Sequence, residues 1–392
     1  MAAPTKVFVA AALAALAAAA GPAAAQILFA GGEFEQAGGA SATNVAQWEG
    51  PAEGWSNLAA LPLAGDSISS LTVYRGEVVA GGRFHGGGGL EANNIAIYDG
   101  THWRPMGSGC ENRGSDFAVD VWALTVWDDK LIAAGWFDTA GGQPANNVAA
   151  WDGTAWVSLA DGVPNECRAA TTYAGKLVVG GDFTLVENGT VSNDLALWDG
   201  SAWHPLGPGV TSNRSRVWAL VEWNGELMVG GSFLEVDGIP VNNTAIWDGA
   251  AWRAMGTGVH IVVGPFDPIV KAFAVYRGDL ILAGRFQIAG GQEIRNIARW
   301  DGSAYHPLGD GLNERVDSLT VYNDWLIAGG NFDRAGNVVA PHVARWDGTA
   351  WSSMEFAEEW NVAILVRALT VAPAPRTQAA MLADCIGRSS DC

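Results

Sequence analysis

One glycine-rich signature recurs seven times along the chain, ending at Phe34, Phe84, Phe137, Phe183, Phe233, Phe286 and Phe332. Each Phe follows an apolar run and a Gly-Gly or Ala-Gly pair, as in Leu177-Val178-Val179-Gly180-Gly181-Asp182-Phe183. The spacings of 50, 53, 46, 50, 53 and 46 residues fix a period near 50. Within each period lie four short β-type runs: an Ala-Leu-Thr-Val-Tyr-like run, the Gly-Gly run, an Asn-Asn-Ile-Ala-x-Trp-Asp-Gly-like run and a terminal Trp-x-x-Leu-Gly. Four strands per repeat of this length make a propeller blade. Two-residue turns such as Arg75-Gly76, Asn224-Gly225 and Asn323-Asp324 join the first two runs, and Asp-Gly joins the last two. Such dipeptides suit tight hairpins. Helical periodicity appears nowhere after the first 25 residues, so the expected class is all-β: a seven-bladed β-propeller of four-stranded blades.

The chain begins this pattern in mid-repeat. Residues 27–34 read as a second strand without a first, and residues 366–371 as a first strand without a second. Six whole repeats plus these halves make seven, with the N-terminal strands completing the C-terminal blade. Joining them hides an open sheet edge that would otherwise invite aggregation.

The repeat also explains the composition. Of 19 Trp, twelve occupy a two-per-repeat aromatic slot, whose other two places hold Tyr98 and Tyr305. Such rows belong in a core. The glycine pairs sit inside strand patterns with no following helix or Lys-Ser/Thr, so they do not cradle phosphate. Crowding of second strands near the propeller axis is the expected reason for them.

Residues 1–25 carry one cation, Lys6, an apolar run from Val7 to Ala20 and Ala23-Ala24-Ala25, which reads as an export signal. The apolar run of about 14 residues is short of the about 20 that a spanning helix needs. Residues 26–372 are the expected propeller, and 373–392 a tail containing Cys385 and Cys392. The formal charge of −19 becomes −20 once Lys6 is removed (−19 − 1), which disfavours nucleic acid and anionic membranes as partners. No membrane span is expected after signal removal.

Four cysteines in an exported chain suggest up to two disulfides. Cys110 and Cys167 are candidates for a bridge pinning two fourth-to-first loops. Pairing with the tail, a Cys385–Cys392 loop and free thiols stay open. Lacking a matched His motif, neither Cys110 nor Cys167 reads as a catalytic thiol.

Phe137-Asp138-Thr139-Ala140-Gly141-Gly142 followed by Asn146-Asn147-Val148-Ala149-Ala150-Trp151-Asp152-Gly153 resembles the propeller repeat of the fungal cortical-marker, bud-site-selection family. The likeness runs from residue 27 to about 372. It implies an extracellular propeller serving as a landmark or binding surface without known chemistry. That family's C-terminal spanning helix is not expected here, which sets membrane anchorage and a polarity role apart from what the likeness implies. More distantly the repeat is similar to kelch repeats and to the central domain of galactose oxidase, whose copper ligands have no matching positions here.

Up-and-down strand order places every long loop at one end, including residues 107–120, 256–269 and 184–190. Asp116, Phe117, His260, Phe266 and Asp267 are the ligand-contact candidates, chosen by loop location. His102, His204 and His306 recur beside the fourth-strand aromatic, a repeat-locked place that suggests a structural role. Neither a catalytic constellation nor a metal or cofactor motif stands out. The leading expectation is therefore a secreted or periplasmic, monomeric, noncatalytic module that binds an extracellular protein or glycan. The alternative is an enzyme (lyase, hydrolase or oxidase) at the channel mouth of the same face. Ionisable groups with perturbed pKa values at that mouth would favour the enzyme.

Overall fold

In the computed structural model, residues 26–58, 63–86, 92–112, 118–187, 190–211, 215–357 and 364–374 are described. Among them there is no helix, and hence none long and apolar enough to cross a membrane. The architecture is an all-β repeat of the β-propeller type. Seven antiparallel four-stranded sheets run in meander order, with first strands Leu63–Tyr74, Asp120–Trp127, Glu166–Tyr173, Arg216–Trp223, Ile269–Tyr276, Val316–Tyr322 and Leu365–Pro373. The last of these pairs antiparallel with Gln26–Glu33, and that sheet continues through Val45–Trp48 and Trp55–Asn57. Each first strand packs against the first strands of two other sheets.

Both residues of the first-to-second turns take positive φ, for example Arg75 at 51° and Gly76 at 85°, or Asn323 at 47° and Asp324 at 63°. That is the turn whose twist matches two paired strands. At the third-to-fourth turns an aspartate closes the corner. Asp152 Oδ1 accepts from the Thr154 and Ala155 amides at 2.7 and 2.9 Å, and Asp199, Asp248, Asp301 and Asp347 repeat the arrangement.

The two aromatic slots face each other across the third and fourth strands with centroids 4.8–5.5 Å apart in every sheet. The fourth-strand ring is buried and reaches the preceding sheet. Trp156 Nε1–H donates to the Met106 carbonyl at 2.7 Å, Trp203 to Leu159 at 2.8 Å, and Trp55 to Met354 at 2.7 Å. These rings therefore both fill the core and fasten sheet to sheet.

The glycine pairs have a different cause from the one expected. First strands, not second strands, pack against one another at the centre. The first glycine of a pair admits a branched side chain from the neighbouring sheet: a Cβ on Gly81 would sit 2.7 Å from Val121 Cγ1. The second glycine faces backbone. A Cβ on Gly181 would run into the Glu166 carbonyl oxygen, because the first strand bulges there. Side chains can yield, and two repeats do carry Ala134 and Ala283 in the first place. Backbone cannot yield, and the second place is glycine in all seven.

Cys110 and Cys167 are free thiols, so the expected bridge between them is not made. Cys167 lies inside the strand Glu166–Tyr173 rather than in a loop, and each thiol is fully buried in a different core cluster. They act as small apolar core residues. Cys385 and Cys392 lie outside the described residues. Residues Thr184–Glu187, expected as loop, extend the second strand and pair with Thr190–Asn193.

Candidate functional site

The loop after the fourth strand Trp252–Ala254 builds one wall of a cavity. Val259–His260 pairs with Ile288–Ala289, and the segment beyond is clamped by one side chain. Gln287 Oε1 accepts from the Val262 and Val263 amides at 3.0 and 3.1 Å, and its Nε2 donates to the Val263 carbonyl at 2.8 Å. Val262, Val263 and Phe266 are thereby held exposed, at 70, 75 and 60%. The Arg285 guanidinium lies 4.5 Å from the Phe266 ring centroid and donates to the Asp267 carbonyl at 3.1 Å. Burial, reinforced by the Arg315 cation, lowers the Arg285 pKa.

These residues enclose about 640 Å³ together with Glu293, Arg295, Asn313 and Glu314. A neighbouring hollow of about 590 Å³ shares Glu293, Arg295 and Asn313 and adds Arg334, Asp310 and Asn337. Of the expected contact residues, Phe266 lines the cavity. His260 and Asp267 flank it and contribute backbone: the His260 carbonyl accepts from the Gln287 amide at 2.8 Å. Asp116 and Phe117 lie outside the described residues. His204 and His306 bond the aspartate of their own turn, Asp199 at 2.8 Å and Asp301 at 2.6 Å.

A second cluster escapes the loop-based reading. In every sheet the pairing of first and second strands slips by one residue near the start of the first strand, leaving a first-strand residue without an opposite number, and the sheet that begins at Leu63 slips a second time at Asp66. A bulge re-aims the side chain it releases. The seven released at the shared position are Ser69, Trp122, Arg168, Trp218, Lys271, Asp317 and Arg367, and they converge. The Arg168 guanidinium is sandwiched between Trp122 at 4.1 Å and Trp218 at 4.3 Å, and Lys271 Nζ lies 4.7 Å from Trp218. Lys271 then bonds Asp317 at 2.9 Å, and Arg315 Nε reaches the same carboxylate at 2.9 Å. Although burial opposes its ionisation, the Lys271 and Arg315 cations hold Asp317 below the usual carboxylate range. Burial pushes Asp120, bonded to Ser69 and Trp122, the other way. Arg168 pairs with Glu166, and Arg367 with Glu33 at 2.6 Å.

The bulges fall near the start of the first strands, where the fourth-to-first loops enter, so this cluster lies toward the same end as the loop cavity. Arg285 joins the two, since it pairs with Ile269 two residues before Lys271. A signal for it exists in the sequence. Between near-identical flanks, as in Val121-Trp122-Ala123-Leu124 and Val217-Trp218-Ala219-Leu220, this single column changes from Ser to Trp, Arg, Lys or Asp.

Comparison with known proteins bears on the fold. Residues 128–149 match a β-propeller family described as a domain of unknown function (DUF5122). No curated protein matches. Among solved structures, the chain is similar to the extracellular domain of a hybrid two-component system from B. thetaiotaomicron, with TM-score 0.50 and 11% identity, covering 78% of this chain and 35% of that one. It thus spans about a third of that structure's length. A computationally designed protein, Ika8, aligns at TM-score 0.41 and 17% identity over 74% of each chain.

Proposed function

We propose that this chain is an exported, noncatalytic binding module: a closed seven-bladed β-propeller that takes a glycan or protein ligand in the cavity of loop 256–269. The observation that carries the reading is the pairing of an exposed aromatic with a cation, Phe266 under Arg285, inside a concave site of about 640 Å³. Concave sites with a few placed polar groups are where ligands bind. An exposed ring that the loop's hydrogen bonds hold in place gives a stacking surface without ordering cost. The likeness to an extracellular domain and the 25-residue leader support export, and the resemblance to the cortical-marker repeat supports a surface role.

Ring closure rests on the pairing of Leu365–Pro373 with Gln26–Glu33. Deleting residues 365–372 leaves the protein insoluble or much less stable, and an unchanged thermal melt would sink that arrangement. For the ligand, residues 26–392 are screened against glycan and extracellular-protein arrays, with Phe266→Ala, Arg285→Ala and Phe117→Ala beside them. Loss of the hit in Phe266→Ala is expected; a hit that survives all three changes rejects this face.

The axial cluster favours a second reading, since it gathers ionisable groups displaced in opposite directions at the channel mouth. On that reading Asp120 serves as a proton donor to a substrate held over the axis. Turnover of an array hit that Asp120→Asn abolishes, with binding kept, would select it.

A further inference from the structure

We propose that the partner held in the loop cavity is a peptide, docked by an apolar side chain that stands between an acidic and a basic residue. This rests on the reading of that cavity as the binding site, and narrows its ligand from glycan or protein to the second. The ionic groups give the first reason. Arg285 and Glu314 both line the cavity, and among the described residues neither makes a salt bridge. The Nε and Nη2 groups of Arg285 donate to the Asp267 carbonyl at 3.3 and 3.1 Å. Its Nη1 has no protein acceptor among the described residues and is not shut off from solvent, so it is open to the cavity. Glu314 is exposed, close enough to act on the Arg285 charge but not paired with it. An unpaired cation and an unpaired anion in one concave site suit a ligand that carries both signs.

The apolar wall gives the second. Ile261, Val262, Val263, Pro265 and Phe266 line the same cavity, and Val262, Val263 and Phe266 are exposed. The Val262 and Val263 amides and the Val263 carbonyl are already bonded to Gln287. A sugar ring carries hydroxyls around its edge, and against this wall they would be covered without partners, which weakens binding. A neutral glycan would leave both Arg285 and Glu314 unmet, and an acidic glycan would set its carboxylates against Glu314. An aliphatic or aromatic side chain instead gains by covering exposed apolar surface, and its two neighbours in a peptide supply one charge each.

The adjoining hollow favours a chain over a single amino acid. It shares the Arg295–Glu293 ion pair with the cavity and adds Arg334 and Asp310, which make no salt bridge among the described residues. A segment that leaves the cavity past the exposed Arg295–Glu293 pair therefore meets a second unpaired couple of opposite sign.

The test is selection from a displayed library of random heptapeptides by the protein produced from its full chain, with Phe266→Ala, Arg285→Gln and Glu314→Lys beside it and a glycan array run in parallel. Peptides enriched by the unaltered protein are expected to share an apolar residue between one acidic and one basic residue. A fluorescent copy of that consensus should bind about tenfold more weakly to Phe266→Ala. Changing its acid to the amide should weaken binding to the unaltered protein about tenfold and binding to Arg285→Gln not at all. Glu314→Lys should turn the preference for a basic residue into one for an acidic residue. If a thermal melt shows Arg285→Gln unfolded, Glu314→Lys, at an exposed position, decides alone. Peptides enriched equally by Phe266→Ala, or a charge preference unchanged in both charge variants, would overturn the proposal. A glycan hit that Phe266→Ala abolishes, with no peptide enriched, would overturn it and leave the loop-cavity reading standing. No hit of either kind that depends on Phe266 would end both.

Discussion

The rim and the hub of each sheet are built by opposite rules. At the rim, third and fourth strands repeat the same aromatic pair and, in all but one sheet, the same aspartate corner. At the hub, seven bulges of the same form release seven side chains that do not repeat. Uniform backbone with varied side chains is how a rigid scaffold carries a site. In this molecule a departure from the repeat, more than the repeat itself, points to function.

The contrast can be broken first at the hub glycines. Gly181→Ala forces a Cβ onto the Glu166 carbonyl, while Gly175, at φ 75°, has nothing within 4 Å of its Cβ position. Loss of about 4 kcal/mol or outright failure to fold is expected for the former, and about 1 kcal/mol for the latter. Equal chemical-denaturation midpoints for the two variants would remove the bulge as the cause of the second glycine.

At the rim, Trp203→Ala deletes a buried ring and the bond to Leu159, and should cost about 3–5 kcal/mol. Trp122→Ala at the hub should cost less, because that ring is only half-buried. A reversed order would mean that the hub, not the rim, holds the sheets together.

A smaller effect sharpens the rule about departures. Asn94, Asn147, Asn243 and Asn296 each accept from the Phe ten residues earlier and donate to a carbonyl 16 residues later. Asp194 stands in that place in the sheet whose first strand is Glu166–Tyr173, accepting from Phe183 at 3.0 Å and from Ser215 at 2.5 Å. Burial raises its pKa to about 7. The folded state therefore holds a proton that the unfolded chain has lost, and stability falls as pH rises from about 4 to about 7. Asp194→Asn should raise the melting temperature at pH 8 and change it least at pH 4. A gain independent of pH would show that Asp194 is ionised throughout. Smallest of all, Phe266→Ala should shift stability by no more than about 0.5 kcal/mol, since the ring is 60% exposed; a large drop in melting temperature would turn the exposed aromatic into a structural residue.

Much of the rim is legible in the sequence itself, because turn dipeptides, Trp spacing and the Gly-Phe signature are local and repeated. Type of strand, meander order and the pairing of 366–371 with 27–34 follow from that repetition. The hub was not legible by the same means. A bulge leaves no composition of its own, and the glycine opposite it looks like any close-packed strand glycine until the Glu166 carbonyl is seen beside Gly181. Cys110 and Cys167 misled for a related reason: loop assignment by period cannot tell a loop end from the first buried residue of a strand. Phe266 was reached by loop length alone, but its partner Arg285, on a second strand, could be found only through the fold.

The pairing of the last strand with the first has a temporal side. Arg367 and Glu33, bonded across it, stand 334 positions apart. At about 5–20 residues per second of synthesis, strand Gln26–Glu33 waits roughly 20–70 seconds for its partner. During that time its apolar run Ile27-Leu28-Phe29-Ala30 offers one bare edge to whatever is near, so the vulnerable moment in the life of this protein is its delivery rather than its service.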